Sequence, residues 1–175
     1  QITPRPYQKA AIKPALKGVR GPKKRARVVM ATGLGKTITA ALITKAFRAK
    51  TVLFLVHNNF ILDHALNEFR LVFDEKTKMG TYNGMTRRKK NWQESDFVFA
   101  TWQTMGRNLK RWDRRHFDLI IVDEAHHEQA DTFKPVTAHF IGAKLAITAT
   151  PDRADKLDIR EVFGPEVVNI TLEES

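Results

Sequence analysis

Short apolar runs alternate with amphipathic stretches along this chain. The runs Arg27–Ala31, Thr51–His57, Phe97–Thr101, Leu119–Asp123, Lys144–Thr148 and Val167–Leu172 read as strands, with a weaker candidate at Lys78–Tyr82. Nearly continuous apolarity marks strands covered on both faces. Between them the pattern predicts helices over Pro6–Lys17, Lys36–Ala49, Phe60–Phe73, Gln103–Arg107, Thr132–Phe140 and Asp158–Phe163. Ile38, Ala41, Leu42 and Phe47 fall near 3.6-residue spacing, as do Ile61, Leu62, Ala65, Leu66 and Phe69. The alternation predicts βαβ units, hence an α/β fold with a mainly parallel sheet between helical layers. Right-handed crossovers would gather the strand C-terminal ends on one edge, the edge that binds ligands in open α/β sheets. The loops starting at Ala31, His57, Thr101, Asp123 and Thr148 would all lie there.

Composition narrows the class. With 175 residues, 42% of them hydrophobic, the chain can bury a full core as one domain. Its apolar runs fall far short of the about 20 residues that span a bilayer, so no membrane partner is expected. Gln1–Lys9 lacks the apolar stretch of a signal peptide, and a start on Gln1 suggests an excised piece. The absence of cysteine excludes disulfides and thiolate metal sites, and fits a cytoplasmic protein, in a bacterial, archaeal or phage-infected cell by preference. The net charge of +11 is clustered, at Lys17–Arg27, Arg87–Lys90 and Arg107–Arg115, which points to a polyanion and most simply to nucleic acid.

Two segments carry the candidate chemistry. Thr32-Gly33-Leu34-Gly35-Lys36-Thr37 follows a strand and opens a helix, the context in which a glycine-rich turn cradles phosphates. Gly33 and Gly35 can turn backbone N–H groups onto phosphate oxygens, Lys36 would neutralise the β- and γ-phosphates, and Thr37 would ligate Mg²⁺. The glycine usual five residues before Gly35 is Met30 here. Downstream, Leu119–Val122 ends in Asp123 and Glu124. Asp123 would hold Mg²⁺, and Glu124 would orient or deprotonate the attacking water. His126 and His127 lack the spacing of a zinc site.

Taken in order, these segments resemble the first RecA-like motor domain of superfamily 2 helicases and translocases. Asp123-Glu124-Ala125-His126 is similar to their DEAH box, Met30–Thr37 to motif I, and Thr148-Ala149-Thr150-Pro151 to motif III. Arg5-Pro6-Tyr7-Gln8 resembles the adenine-recognition segment, Val52–Ala65 motif Ia, and Ala100–Thr104 a further nucleic-acid-contacting motif. The wording of these motifs is most similar to restriction-enzyme translocating subunits and repair-type duplex translocases. The resemblance implies a RecA-like P-loop NTPase three-layer sandwich over residues 1–172, with 173–175 starting a linker to a second RecA-like domain. It implies ATP and Mg²⁺ as cofactors, with Arg5, Tyr7 and Gln8 at the adenine and Thr32–Thr37, including Leu34, at the phosphates. His126, Thr148 and Thr150 would couple the γ-phosphate to strand contacts. Asn58, Asn59, Thr101, Trp102, Gln103 and Thr104 would touch nucleic acid, with DNA favoured over RNA; Trp102 either stacks on a base or packs in the core. The relatives' motif Ia arginine and glutamine are Asn58 and His64 here.

The implied partner domain supplies an arginine worth about 10³–10⁵ in rate in related NTPases, so the chain alone is expected to hydrolyse ATP poorly. A nucleic-acid-binding scaffold with a vestigial ATP site is the alternative. Kinase and GTPase readings lack an arginine-rich lid and an Asn-Lys-x-Asp guanine reader.

Overall fold

In the computed structural model, residues 3–31, 35–83, 94–124, 130–149, 162–164 and 166–170 are described. Their strands are β1 (Arg25–Met30), β2 (Val52–Val56), β3 (Met79–Tyr82), β4 (Phe97–Thr101), β5 (Leu119–Asp123), β6 (Ala143–Thr148) and β7 (Glu166–Ile170). They form one seven-stranded sheet in the order β3-β4-β2-β5-β6-β1-β7, with every pairing parallel. The helices are α1 (Pro6–Arg20), α2 (Lys36–Phe47), α3 (Asn59–Arg70), α4 (Trp102–Arg107) and α5 (Ala130–His139), with a 3-10 turn at Leu109–Arg111.

Alternation along the strands splits the core in two. Val52, Phe54 and Val56 of β2 join Leu119 and Ile121 of β5 on one face, where Ala11, Ala15, Ala41, Ile43, Leu62 and Phe69 of α1–α3 cover them. Leu53, Leu55, Ile120 and Val122 face the other way, onto Met105, Phe133 and Val136 of α4 and α5. The result is the expected helix–sheet–helix sandwich, apolar on both sides of the sheet.

Several boundaries differ from the sequence expectation, each for a local reason. The helix α1 runs through Gly18 to Arg20, because Gly18 packs against β1 and does not end the helix. A Cβ on Gly18 would lie 2.6 Å from the Arg25 carbonyl and 2.9 Å from Ala26 Cβ. The helix closes at Gly21, whose N–H donates to the Gly18 carbonyl at 3.2 Å. The strand β1 starts at Arg25 and buries its second residue, Ala26, so the charged stretch before Val28 already belongs to the sheet. Arg48, with φ of 60°, stops α2 before Ala49. Of the helix expected over Asp158–Phe163, only Val162 and Phe163 lie among the described residues.

Candidate functional site

The strand order decides what meets. Because β6 lies between β5 and β1, the end of β5 and the start of α2 face each other across the end of β6. Asp123 closes β5 with its side chain buried, and Glu124 follows with φ of 56°. That left-handed turn costs a non-glycine residue about 1–2 kcal/mol, and here it is fastened by the Glu124 N–H donating to the Ile147 carbonyl at 2.8 Å. It brings the Glu124 carboxylate back over the end of β6. Glu124 Oε2 accepts from the Thr148 hydroxyl at 2.8 Å, and Oε1 from the Ala149 N–H at 2.9 Å.

Lys36, the first residue of α2, reaches across to both acids. Its ammonium donates to Asp123 Oδ1 and, at 2.7 Å, to Glu124 Oε1. Burial works against charge on Lys36, but Asp123 and then Glu124 outweigh it and hold the ammonium above its usual pKa. Burial also dominates at Asp123, raising its pKa despite the pull of Lys36. At Glu124 burial pushes upward, yet the bonds from Lys36, Ala149 and Thr148 prevail and keep the carboxyl below its ordinary range. Burial and the Lys36 ammonium thus act in opposite directions on both carboxylates, with burial prevailing at Asp123 and the hydrogen bonds at Glu124.

Beside this triad opens a cleft of about 460 Å³, lined by Gly35, Lys36, Thr37, Ile61, His64, Glu68 and Asp123. Gly35 turns into it with φ of 76°, and a Cβ there would lie 2.8 Å from Gln8 Nε2. Gln8 is buried, and its Oε1 accepts from the Arg5 N–H at 2.9 Å, so the start of α1 is pinned against the turn that begins α2. The Arg5 guanidinium donates to the Tyr7 hydroxyl at 3.1 Å, and the Tyr7 ring packs on the core. Met30 is fully buried in the core, so its bulk in place of glycine is absorbed there.

The residues expected at nucleic acid are more dispersed. Asn58 caps α3, accepting from the Ile61 N–H at 3.2 Å, while Asn59 is exposed. Thr101 caps α4, accepting from the Thr104 N–H at 3.3 Å and donating to the Thr104 hydroxyl at 2.9 Å. Both threonines are buried; Gln103 is exposed and donates to the His57 carbonyl at 3.5 Å. Stacking by Trp102 is not what the fold presents. Its ring is 1% exposed and lies 5.2 Å from Phe133 in the α4–α5 core. Thr32, Gly33, Leu34, His126 and Thr150 lie outside the described residues.

Sequence reasoning passed over His57. It follows β2 directly, and its Nε2 lies 3.2 Å from the Asn58 amide nitrogen. The Asn58 amide can only donate, so His57 Nε2 accepts and Nδ1 carries the proton, buried without a partner among the described residues. A polar residue at a parallel strand's C-terminal end was the available signal.

The family model for the type III restriction enzyme res subunit matches residues 1–153. The chain belongs to this family. Among curated relatives of this res-type chain, the EcoAI endonuclease subunit of a type I restriction enzyme from Escherichia coli is 29% identical, over 98% of this chain and 22% of that protein. The ATP-dependent RNA helicase DHX58 of Mus musculus is likewise 29% identical, over 81% of this chain and 22% of its own length. The chain therefore spans less than a quarter of either relative. Among solved structures, the Pyrococcus furiosus Hef helicase domain superposes with a TM-score of 0.76 at 23% identity, covering 98% of this chain and 39% of that one. The res-type chain thus has the RecA-like fold of superfamily 2 helicases and is homologous to ATP-dependent motor domains.

Proposed function

We propose that the chain is the ATP-binding half of an ATP-dependent translocase or helicase acting on double-stranded DNA. The carrying observation is the Lys36 ammonium held between Asp123 and Glu124, with Thr148 on the far side of Glu124. In this reading the bridge is the resting arrangement. Lys36 would neutralise the β- and γ-phosphates of a bound nucleotide, and Gly35 with residues 32–34 would supply backbone N–H groups. Gln8, with Arg5 and Tyr7, lines the adenine side.

The same spot suits Mg²⁺. A cationic group already stands between two carboxylates there, and Thr37 borders the same cleft. No set of three His, Cys, Asp or Glu ligands occurs among the described residues. Mg²⁺ fits such a sparse site because it is commonly bound by one or two carboxylates plus substrate phosphates. Asp123 and Thr37 would hold it, and it would neutralise charge on the phosphates. Glu124, whose carboxylate accepts from Thr148 and Ala149, orients the water that attacks the γ-phosphate, and Thr148 with His126 and Thr150 reads the γ-phosphate state. Asn59 and Gln103 are the exposed candidates for strand contact; Asn58, Thr101 and Thr104 shape the loops that carry them.

In this reading residues 1–172 belong to this domain, with 173–175 leading to a second RecA-like domain that completes the site in a cytoplasmic enzyme. No described helix is long and apolar enough to cross a membrane. The restriction-enzyme family favours DNA over RNA. The test is ATP turnover by a protein in which this chain is joined to its second RecA-like domain, measured with duplex DNA, single strands and RNA. Duplex-stimulated turnover abolished by Lys36→Ala and by Glu124→Gln is expected; turnover that survives both substitutions overturns the assignment.

A further inference from the structure

The sheet edge opposite the Lys36 cleft carries a second concavity, of about 500 Å³, where the chain enters β1, β2, β5 and β6. Its rim holds Arg20, Lys24, Arg48 and Arg115, all exposed. Among the described residues the ion pairs involve Lys36 and His64, and none of these rim cations. Arg20 donates to the Ala46 carbonyl at 2.8 Å, a bond that leaves its charge uncompensated. The one carboxylate among its described lining residues, Asp118, ties down the loop that enters β2: its Oδ2 accepts from the N–H groups of Lys50 and Thr51 at 2.9 and 3.3 Å.

Beneath this cationic rim the surface is apolar. Phe47 and Ala49 are half-buried in the wall, over Phe117. Ile141, 48% exposed on the lip, is among the few large apolar side chains left open to water in the described structure. A neighbouring hollow of about 380 Å³ shares Ile141 and is bordered by Arg25, Lys134 and Lys144, so the basic-and-apolar character continues past the lip.

A nucleic-acid backbone would satisfy the cations but would leave the apolar wall wet. A polypeptide bearing carboxylates around one bulky apolar side chain satisfies both, as anchor and charged flank do in protein interfaces. We propose that this groove docks an acidic segment of a partner protein, with an apolar anchor on Phe47, Ala49 and Ile141 and carboxylates on Arg20, Lys24, Arg48 and Arg115. The proposal does not depend on the ATP assignment. Docking at this edge leaves the Lys36 cleft open, so a partner held here could stay bound while nucleotide exchanges.

The test pans a display library of random peptides, each about 12 residues long, against the chain with duplex DNA present as competitor. The best peptide is then titrated by fluorescence anisotropy. Enriched peptides should be acidic and carry a Leu, Phe or Trp. Their affinity should fall by about tenfold or more in the double variant Arg48→Glu, Arg115→Glu, and several-fold in Ile141→Ser. Lys110→Glu, in the same Arg107–Arg115 stretch but outside the groove lining, should leave it unchanged. These substitutions are at exposed positions, and melting curves verify that each variant folds. Failure to enrich acidic peptides, equal loss in Lys110→Glu, or displacement of the peptide by duplex DNA would each overturn the proposal, the last by making the groove a nucleic-acid site.

Discussion

The Lys36 ammonium lies 2.7 Å from Glu124 Oε1, joining residues 88 positions apart at the one place where β6 separates β5 from β1. Removing it would leave Asp123 and Glu124 facing each other in a partly buried site. Lys36→Ala is therefore expected to destabilise the nucleotide-free chain by about 1–3 kcal/mol, the cost of unsatisfied buried polar groups. That corresponds to a fall in melting temperature of about 2–4 °C per kcal/mol for a domain of this size. An unchanged melting temperature in differential scanning calorimetry would show that the bridge contributes nothing at rest.

Gly35 and Gln8 should be energetically coupled. A methyl group at Gly35 meets Gln8 Nε2 at 2.8 Å and also imposes a side chain on a φ of 76°. Gly35→Ala should cost about 1–2 kcal/mol from the backbone alone, plus the displacement of Gln8. In a Gln8→Ala background the second component disappears while the first remains. A double-mutant cycle by urea denaturation measures the difference, and strict additivity would mean that the two residues do not touch.

Two helical glycines should respond with opposite sign. At Gly18 an added Cβ strikes the Arg25 carbonyl at 2.6 Å, an atom fixed in the β1 ladder, so Gly18→Ala should cost about 1–3 kcal/mol by overpacking. At Gly106 in α4 the nearest atom is Val136 Cγ2 at 3.8 Å, ordinary contact. Gly106→Ala should stabilise by about 0.5–1 kcal/mol through helix propensity. Paired denaturation curves check both signs.

Acid should weaken the fold through His116. Burial lowers its pKa below the ordinary 6.5, more than Asp113 restores it, and its ring packs 4.7 Å from Phe117 with Nε2 lacking a partner among the described residues. The unfolded chain thus binds this proton more readily than the folded one. Stability from this group is complete above the unfolded value and declines as pH falls through about 6.5 towards the lower folded value. Melting temperatures between about pH 7.5 and 5.5 should show that decline, and His116→Gln should flatten it.

What was legible in the sequence follows from what is local. β2 and β5 can be read because both faces are buried and every residue before Asp123 is apolar, and Gly35-Lys36-Thr37 because a strand and a helix flank it. The first two residues of β1 were hidden by the charge of Arg25, since a charged residue in a strand gives no periodic signal. The run of α1 past Gly18 was hidden because a glycine that ends a helix and one that lets a helix touch a strand look alike. Trp102 shows the same ambiguity for aromatics: packing against Phe133, and not its own chemistry, makes it core. The pairing of Glu124 with Thr148 needed the strand order, because only the pairing of β5 with β6, with Asp123 beside Ile147, brings these residues together.

The central claim, that Lys36, Thr37 and Asp123 form an ATP–Mg²⁺ site, is tested most directly by titration calorimetry of the chain with a non-hydrolysable ATP analogue and Mg²⁺. Weak binding is expected, reduced by about tenfold or more in Lys36→Ala and in Asp123→Asn, corresponding to at least about 1.4 kcal/mol. Affinity undiminished in both variants would contradict it.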